Sequence, residues 1–296
     1  MTGQNKSEKL QNNARFIESE IKEFVRVSPL NRIPSDAKQC IFDEPLIKYA
    51  DGDDSLFTQY KEIIGPVHLT PQEAIALALN KKPGDFSETL SIISWILPIN
   101  LTIRKSNRKE KVQPSNLWSY TRWYGEKFNE ALRAHVTKVL TERGYIATAP
   151  SVGPHFKQYS NEKGPYSNWS ERHIAYVAGH GTFSLSDGFI TEKGIAHRCG
   201  SVVTDFALAP SIRTASTPYE NCTFYVNGGC KACIARCPAG AITEAGHDKI
   251  KCNEYQRTQP FQILREKLKV GGHTGCGLCQ TKVPCESRNP VKKAGK

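Results

Sequence analysis

Eight of the ten cysteines in this chain of 296 residues lie in one stretch, from Cys222 to Cys285. They include the run Cys230-x2-Cys233-x3-Cys237, with Pro238 directly after it. Runs of this kind hold 4Fe–4S clusters, because a cubane needs closely spaced thiolates on a tight loop and one more from a distant part of the chain. The spacing therefore predicts two 4Fe–4S clusters in the C-terminal third of the chain.

The cysteines divide into two sets when the run is compared with the four-cysteine run of bacterial ferredoxins, whose last cysteine binds the other cluster. The first cysteine of that run would stand at Asn227, and we take Cys222 as its substitute. The last pair also departs from the pattern, with five residues between Cys279 and Cys285. We assign one cluster to Cys222, Cys230, Cys233 and Cys285, and the other to Cys237, Cys252, Cys276 and Cys279.

A zinc ribbon is the alternative interpretation of the same cysteines. The two Cys-x2-Cys pairs could hold one tetrahedral zinc ion, but the other four cysteines of the stretch would then have no role. The sequence therefore favours clusters over zinc. Cys40 and Cys199 lie outside the stretch, and we expect them to be packed thiols.

Charge and composition limit the classes of protein to which the chain could belong. The chain carries 40 Lys and Arg against 29 Asp and Glu, a net charge of +11. Such a charge suits nucleic acid, an acidic electron donor, or the negative charge of thiolate-bound clusters. The longest apolar stretch, residues 90–99, is too short to span a bilayer, and no apolar signal segment opens the chain. We expect a cytoplasmic protein without membrane association, in which clustered cysteines bind metal.

Hydrophobic periodicity predicts helices over residues 7–27 and 115–141. Thr70 begins a third helix, with Pro and Glu at its first and third positions. Asn168 and Glu171 are expected to cap a fourth helix that ends near residue 178.

Strands are expected over residues 89–97 and 195–208, and a basic loop over residues 105–111. The mixture predicts an α+β fold. We divide the chain into an N-terminal helical and irregular region that packs on the core (1–88), an α+β domain (89–210) and a ferredoxin-like domain (211–296).

Four segments upstream of the cysteines resemble epoxyqueuosine reductases. Residues 170–182 read Ser-Glu-Arg-His-Ile-Ala-Tyr-Val-Ala-Gly-His-Gly-Thr, and residues 200–208 read Gly-Ser-Val-Val-Thr-Asp-Phe-Ala-Leu. Reductive dehalogenases share both segments. The pattern Tyr-x-Arg-x-Tyr-Gly at 120–125 and the segment Ile-Ala-Thr-Ala-Pro at 146–150 also align. The resemblance covers residues 90–285.

This resemblance implies a nitroreductase-like domain that carries a corrinoid, followed by a ferredoxin-like module that passes electrons to cobalt. The corrinoid would be cobalamin or another cobamide, facing a loop at residues 179–187 and the strand at 202–204. A helix C-cap is the ordinary alternative role for the first glycine of that loop. The residues that the resemblance places at the corrinoid are Gly179, Gly181, Thr182, Phe183, Ser184, Leu185, Ser186, Val202, Val203 and Thr204.

The chain also departs from the family. Epoxyqueuosine reductases have an acidic residue, their proposed proton donor, where this chain has Ala147. Their Gly-Lys-Asn after the glycine turn is replaced by Ser-Leu-Ser at 184–186. Both changes weaken the case for epoxyqueuosine as substrate. The alternative proton donors near the expected loop, each of which could instead be an ordinary polar residue, are His155, Tyr166, His180 and Asp187.

Three functions fit these patterns. The first is a cytoplasmic corrinoid-dependent reductase that takes electrons from ferredoxin or flavodoxin and reduces a small organic substrate. The second is an electron-transfer protein or reductive activator, whose partner is a corrinoid protein or another redox protein. The third is an epoxyqueuosine-type reaction on tRNA, with the basic segment 104–111 contacting phosphates.

Overall fold

The structure of the protein, a computed structural model, describes residues 3–34, 36–82, 89–272 and 274–291. It has the mixed α+β character expected from the sequence. Among the described residues no helix has both the length and the apolar character to cross a membrane. The helices are α1 Gly3–Val27, α2 Leu56–Ile63, α3 Pro71–Ala78, α4 Leu101–Arg108, α5 Asn116–Thr141, α6 Glu171–Val177, α7 Thr223–Asn227, α8 Ala232–Ala235, α9 Lys249–Tyr255 and α10 Gln259–Leu268.

The strands are short apart from two of eight residues, which form the centre of the main sheet. They are β1 Arg32–Ile33, β2 Asp36–Cys40, β3 Leu46–Asp51, β4 Ser91–Pro98, β5 Ala147–Thr148, β6 Gln158–Asn161, β7 Gly164–Ser167, β8 Gly181–Phe183, β9 Phe189–Thr191, β10 His197–Thr204, β11 Ile242–Thr243 and β12 Gly246–His247.

The main sheet is antiparallel, with the strand order β3-β4-β10-β5. Alternate side chains of each strand point to opposite faces. Ile93, Trp95 and Val202 therefore join the core under α1 and α5, while Ile92 and Val203 join the core under α2, α3 and α6. The sheet thus lies between two helical layers, and the N-terminal region supplies one of its strands.

Local sequence signals place several helices where they were predicted. Ser115 accepts a hydrogen bond from the Trp118 N–H and begins α5, which ends at Thr141 as expected. Thr70 and Glu73 form a complete capping box at the start of α3. These predictions are confirmed because each cap is a contact between residues three apart.

Two local predictions are wrong. Residues 101–108 form α4 rather than a basic loop, because Asn100 caps the segment by accepting a hydrogen bond from the Thr102 N–H. The fourth predicted helix begins after Ser170, not after Asn168. The Asn168 side chain instead accepts a hydrogen bond from the Lys157 N–H, which ties the preceding loop together.

The cysteine-rich part, residues 211–291, packs on the corner between α4 and α5. The Arg236 guanidinium donates to the carbonyl oxygens of Asn107 and Glu110. The Glu286 carboxylate accepts hydrogen bonds from Arg104 and Arg108. These buried polar contacts set the position of the cysteine loops relative to the main sheet.

Candidate redox site

The eight clustered cysteines line two neighbouring cavities, four at each. The smaller cavity, of about 20 Å³, is lined by Cys222, Cys230, Cys233 and Cys285, which we name the first cysteine site. The larger, of about 300 Å³, is lined by Cys237, Cys252, Cys276 and Cys279, the second cysteine site. These are the two sets assigned from the sequence. Ser186, which lies in the loop between β8 and β9, lines both cavities.

Short turns bring the cysteines to these cavities. The single turn of α8 separates Cys233 from Cys237, which lie on different cavities. Gly277, between the cysteines of the last Cys-x2-Cys pair, has a positive φ of 63°. A Cβ at this position would overlap the indole ring of Trp118. Glycine is therefore required here both by the backbone conformation and by the close approach of α5.

The thiols of each site affect one another. Burial, together with the nearby Cys222, Cys233 and Cys230, raises the pKa of Cys285 to about 12. Burial likewise raises the pKa of Cys276 to about 11, with contributions from Cys252 and Cys237. Four thiols that lie this close together and at least partly buried cannot all ionise without a compensating positive centre. The donor set thus fits a cationic iron–sulfur core, which keeps its cysteine ligands as thiolates.

Hydrogen-bond donors point at two sulfurs of the second site. The Ala241 N–H donates to the Cys237 Sγ at 3.3 Å, and the Gln256 amide lies 3.5 Å from the Cys252 Sγ. Burial lowers the pKa of His247, but its hydrogen bonds to Asp187 and Cys252 outweigh this and raise the pKa to about 9. Donors of this kind stabilise the charge on cluster thiolates.

Cationic side chains line the cavity of the second cysteine site. Arg122, Arg172, Arg198 and His247 line the second cavity. The described residues that line the first cavity include no Lys, Arg or His. Arg198 is buried beside Glu126, at 3.0 Å, and burial lowers its pKa to about 10.

A third cavity, of about 640 Å³, lies next to the second cysteine site; we name it the ligand cavity. Helices α2 and α6 and the β6–β7 hairpin form most of its walls. The cavity is also lined by Pro218 and Tyr219, which lie just before Cys222, and by Lys249 at the start of α9. Arg172 lines both this cavity and the second cysteine site.

Asp187 joins the ligand cavity to the second cysteine site. Its carboxylate lines the ligand cavity and accepts a hydrogen bond of 3.2 Å from His247, which itself contacts Cys252. Burial raises the pKa of Asp187, but His247, Lys249 and Arg172 together hold it below its usual value. Asp187 also has a φ of 55°, a conformation that non-glycine residues adopt rarely and often at functional sites.

Of the other proton-donor candidates, only Tyr166 lines the ligand cavity. His155 is exposed and outside the lining residues. His180 is buried under the main sheet, with its Nε2 3.1 Å from the Ser94 carbonyl oxygen. Burial lowers the pKa of His180 to about 3, so it is neutral at physiological pH.

The residues expected to face a corrinoid do not form one surface. Phe183 alone among them lines the ligand cavity, while Ser184 and Ser186 line the first cysteine site. Val202 and Val203 point to opposite sides of the sheet and are fully buried in its two cores. The side chains expected for this group therefore do not fit a corrinoid at the ligand cavity.

The glycines of the expected corrinoid loop have structural roles. Gly179 follows α6 with a φ of 78°, as in a helix C-cap. A Cβ there would lie 2.9 Å from the Ile212 carbonyl oxygen. A Cβ at Gly181 would overlap the Ile190 backbone of the paired strand. Close approach of the protein's own chain accounts for both glycines.

Sequence reasoning missed four residues of this region: Lys163, Arg172, His247 and Lys249. Arg172 lies within a segment that resembles a known family, but nothing in that resemblance marks its side chain. His247 and Lys249 precede Cys252 by a few residues, and this proximity to a cysteine was the available signal. Lys163 lies at the β6–β7 turn, with no pattern to distinguish it from other surface lysines.

Comparison with known proteins gives a distant similarity of fold. No protein-family model matches the chain, and no curated protein does. The solved structures that are similar to it include one of a selenomethionine-labelled epoxyqueuosine reductase and one of epoxyqueuosine reductase with a tRNA-Tyr epoxyqueuosine-modified stem loop. Their TM-scores are 0.49 and 0.48, each at 19% identity. Each match covers 92% of this chain and 66% of the other, so the chain spans less than two thirds of their length.

Proposed function

We propose that this protein is an iron–sulfur oxidoreductase with two 4Fe–4S clusters, which reduces an organic compound bound in the ligand cavity. The observation that carries the proposal is the arrangement of three adjacent cavities. Ser186 separates the two cysteine sites, and Arg172 lies between the second site and the ligand cavity. A 4Fe–4S cluster at each site would supply one-electron transfer at low potential.

The number of cysteines favours clusters over a zinc ribbon. A single zinc ion takes four ligands, so a ribbon would use only four of the eight clustered cysteines. The structure instead brings four cysteines to each of two cavities. Two 4Fe–4S clusters would use all eight.

The residues around the ligand cavity suit a reduction that also consumes protons. Clusters at the two sites would each supply one electron, which together would reduce one organic bond, and two protons would complete the product. An external one-electron carrier such as ferredoxin or flavodoxin would restore both electrons. Asp187 and His247 form the pair nearest to both the cavity and Cys252, and they would hold and relay a proton.

We favour a small organic substrate over tRNA. The two arginines of the segment proposed to contact phosphates, Arg104 and Arg108, pair with the buried Glu286. The lysines at positions 105, 109 and 111 are exposed, whereas Arg108 is only partly exposed and already paired. The segment therefore offers less free charge than its sequence indicates.

Metal analysis of protein purified without oxygen tests the proposal. We expect about eight irons and eight sulfides per chain, and reduced-cluster signals in electron paramagnetic resonance (EPR) spectra after dithionite. Cys230→Ser and Cys252→Ser should each lose about half of the iron, from different sites. Cys40→Ser is the matched control and should keep all of it, because Cys40 lies far from both sites and contacts Arg32.

Zinc in place of iron under anaerobic handling would refute the proposal. So would iron content that neither site variant changes. Cobalt is measured in the same samples, from cells supplied with cobalamin. About one cobalt per chain would restore the corrinoid hypothesis despite the scattered positions of its expected contacts.

A further inference from the structure

The ligand cavity has an aromatic part. Tyr60, Tyr166, Tyr176, Phe183 and Tyr219 all line it. The ring centroids of Tyr176 and Phe183 are 6.1 Å apart, so these two rings form a paired aromatic surface on the cavity. Aromatic rings arranged in this way favour stacked or edge contacts with another planar ring.

The same cavity has a cationic end. Lys163, Arg172 and Lys249 line it, together with the carboxylate of Asp187. Lys249 lies 3.9 Å from Asp187, and Arg172 donates to the Asp187 carbonyl oxygen. Lys163 stands on the same side, because the neighbouring Gly164 packs against Lys249.

This cationic end has an excess of positive charge. Three cations face one carboxylate, and no other Asp or Glu is among the described residues that line the cavity. His173 adds no charge, since burial lowers its pKa to about 3 and its Nδ1 is 2.8 Å from the Ser170 hydroxyl. Among the described residues, Arg172 and Lys163 have no carboxylate within ion-pair distance, so their charge is available to a ligand.

We propose that the ligand cavity binds a small planar aromatic anion, which is the substrate class of the proposed reductase. The ring lies against Tyr166, Tyr176 and Phe183. The anionic group, a carboxylate, sulfonate or phosphate, binds at Arg172 and the two lysines. The role of this ligand as a substrate rests on the proposed function. Its binding depends only on the residues that line the cavity.

Both parts of the cavity are needed for this assignment. An aliphatic or neutral ligand would leave the cations at the cationic end without an anion. An inorganic anion would leave the aromatic surface exposed to water. The volume of about 640 Å³ suits a ligand with two or three fused rings, because organic ligand sites measure roughly 300–1,000 Å³. Arginine binds planar oxyanions with two parallel hydrogen bonds, which fits its place at this end.

Binding of naphthalene-2-sulfonate to the cluster-loaded protein tests the proposal. This probe is planar, fluorescent and singly charged at every working pH. We expect it to bind at least about 10-fold more tightly than 2-naphthol, which has the ring alone, because a charged hydrogen bond contributes about 1.5–3 kcal/mol. Inorganic sulfate, the anion alone, should bind more weakly still and compete with the probe.

Variants then locate the probe. Arg172→Gln and Lys163→Gln should each weaken binding of the sulfonate by about 10-fold and leave 2-naphthol unchanged. Tyr166→Leu should weaken both aromatic probes by about 5-fold. Arg15→Gln makes the same change on the exposed face of α1, far from the cavity, and should have no effect. Circular dichroism confirms that each variant is folded.

Equal affinity for the sulfonate and 2-naphthol would overturn the proposal, as would a loss in Arg15→Gln equal to that in Arg172→Gln. Iron content and EPR signals of the same samples report on the clusters separately. A protein that has its full iron content but does not bind the probe would refute only the proposed ligand class. A protein that binds the probe but contains no iron–sulfur clusters would refute only the proposed redox function.

Discussion

Glu286 holds the cysteine-rich part on helix α4, and we expect its removal to weaken this contact strongly. Its side chain is 4% exposed and carries the contacts of three donors. Arg104 donates at 3.0 Å, Arg108 at 2.7 Å, and the Lys282 N–H at 2.7 Å. Burial raises the pKa of Glu286, but these hydrogen bonds outweigh it and hold the pKa below its usual value. The group is therefore ionised in the folded protein at neutral pH.

Glu286→Gln keeps the size of the side chain and removes its charge. Removing one partner of a buried ion pair costs about 3–5 kcal/mol, because the other partner stays buried without compensation. Arg108 is 37% exposed and can recover water, so we expect a loss near the lower end, about 3 kcal/mol. This corresponds to a melting temperature lower by about 6–12 °C.

Thermal melting followed by circular dichroism, without oxygen and at matched iron content, measures this loss. Glu142→Gln is the matched control, since Glu142 is 61% exposed and pairs with Lys138 at 3.7 Å on the surface. Its loss should stay below about 0.5 kcal/mol. Melting temperatures that fall equally in the two variants would refute the role assigned to Glu286.

Two further predictions concern stability at other positions. Gly277→Ala should lose more than about 2 kcal/mol and part of the iron, because a Cβ overlaps Trp118. Gly144→Ala, also at a positive φ but with open space around it, should lose only about 1–2 kcal/mol by urea unfolding. Burial lowers the pKa of His180 to about 3. The unfolded chain therefore binds a proton near pH 6 that the folded chain does not bind, and the free energy of unfolding decreases as the pH is lowered. His180→Gln should make the pH dependence of the free energy of unfolding in urea less steep, by about 1.1 kcal/mol per pH unit on average between pH 6.5 and 5. An unchanged slope would contradict the buried neutral ring.

The sequence predicted what local contacts determine. Helix α5 begins at its Ser115 cap and ends at Thr141, because the cap and the apolar stripe are properties of neighbouring residues. The division of eight cysteines into two sets also follows from spacing, and the structure brings each set to one cavity. Binding of clusters there stays a prediction until metal is measured.

What the sequence did not predict depends on contacts between distant residues. Segment 105–111 has many charges, which favoured a loop, but α4 turns Arg104 and Arg108 toward a glutamate about 180 residues away. Nothing near Glu286 marks it as buried except its place after a cysteine. The ligand cavity is likewise assembled from α2, a hairpin, α6 and the start of α9, four segments that no single motif connects.

The charges around the two cysteine sites give the proposed electron route a direction. A reduced cluster carries one more negative charge, so nearby cations stabilise it and raise its potential. The second site has Arg122, Arg172, Arg198 and His247 on its cavity, and the described residues lining the first site supply no such charge. The second site should therefore hold an electron more strongly than the first. Because that site adjoins the ligand cavity through Arg172, electrons that enter at the first site would move toward the bound ligand.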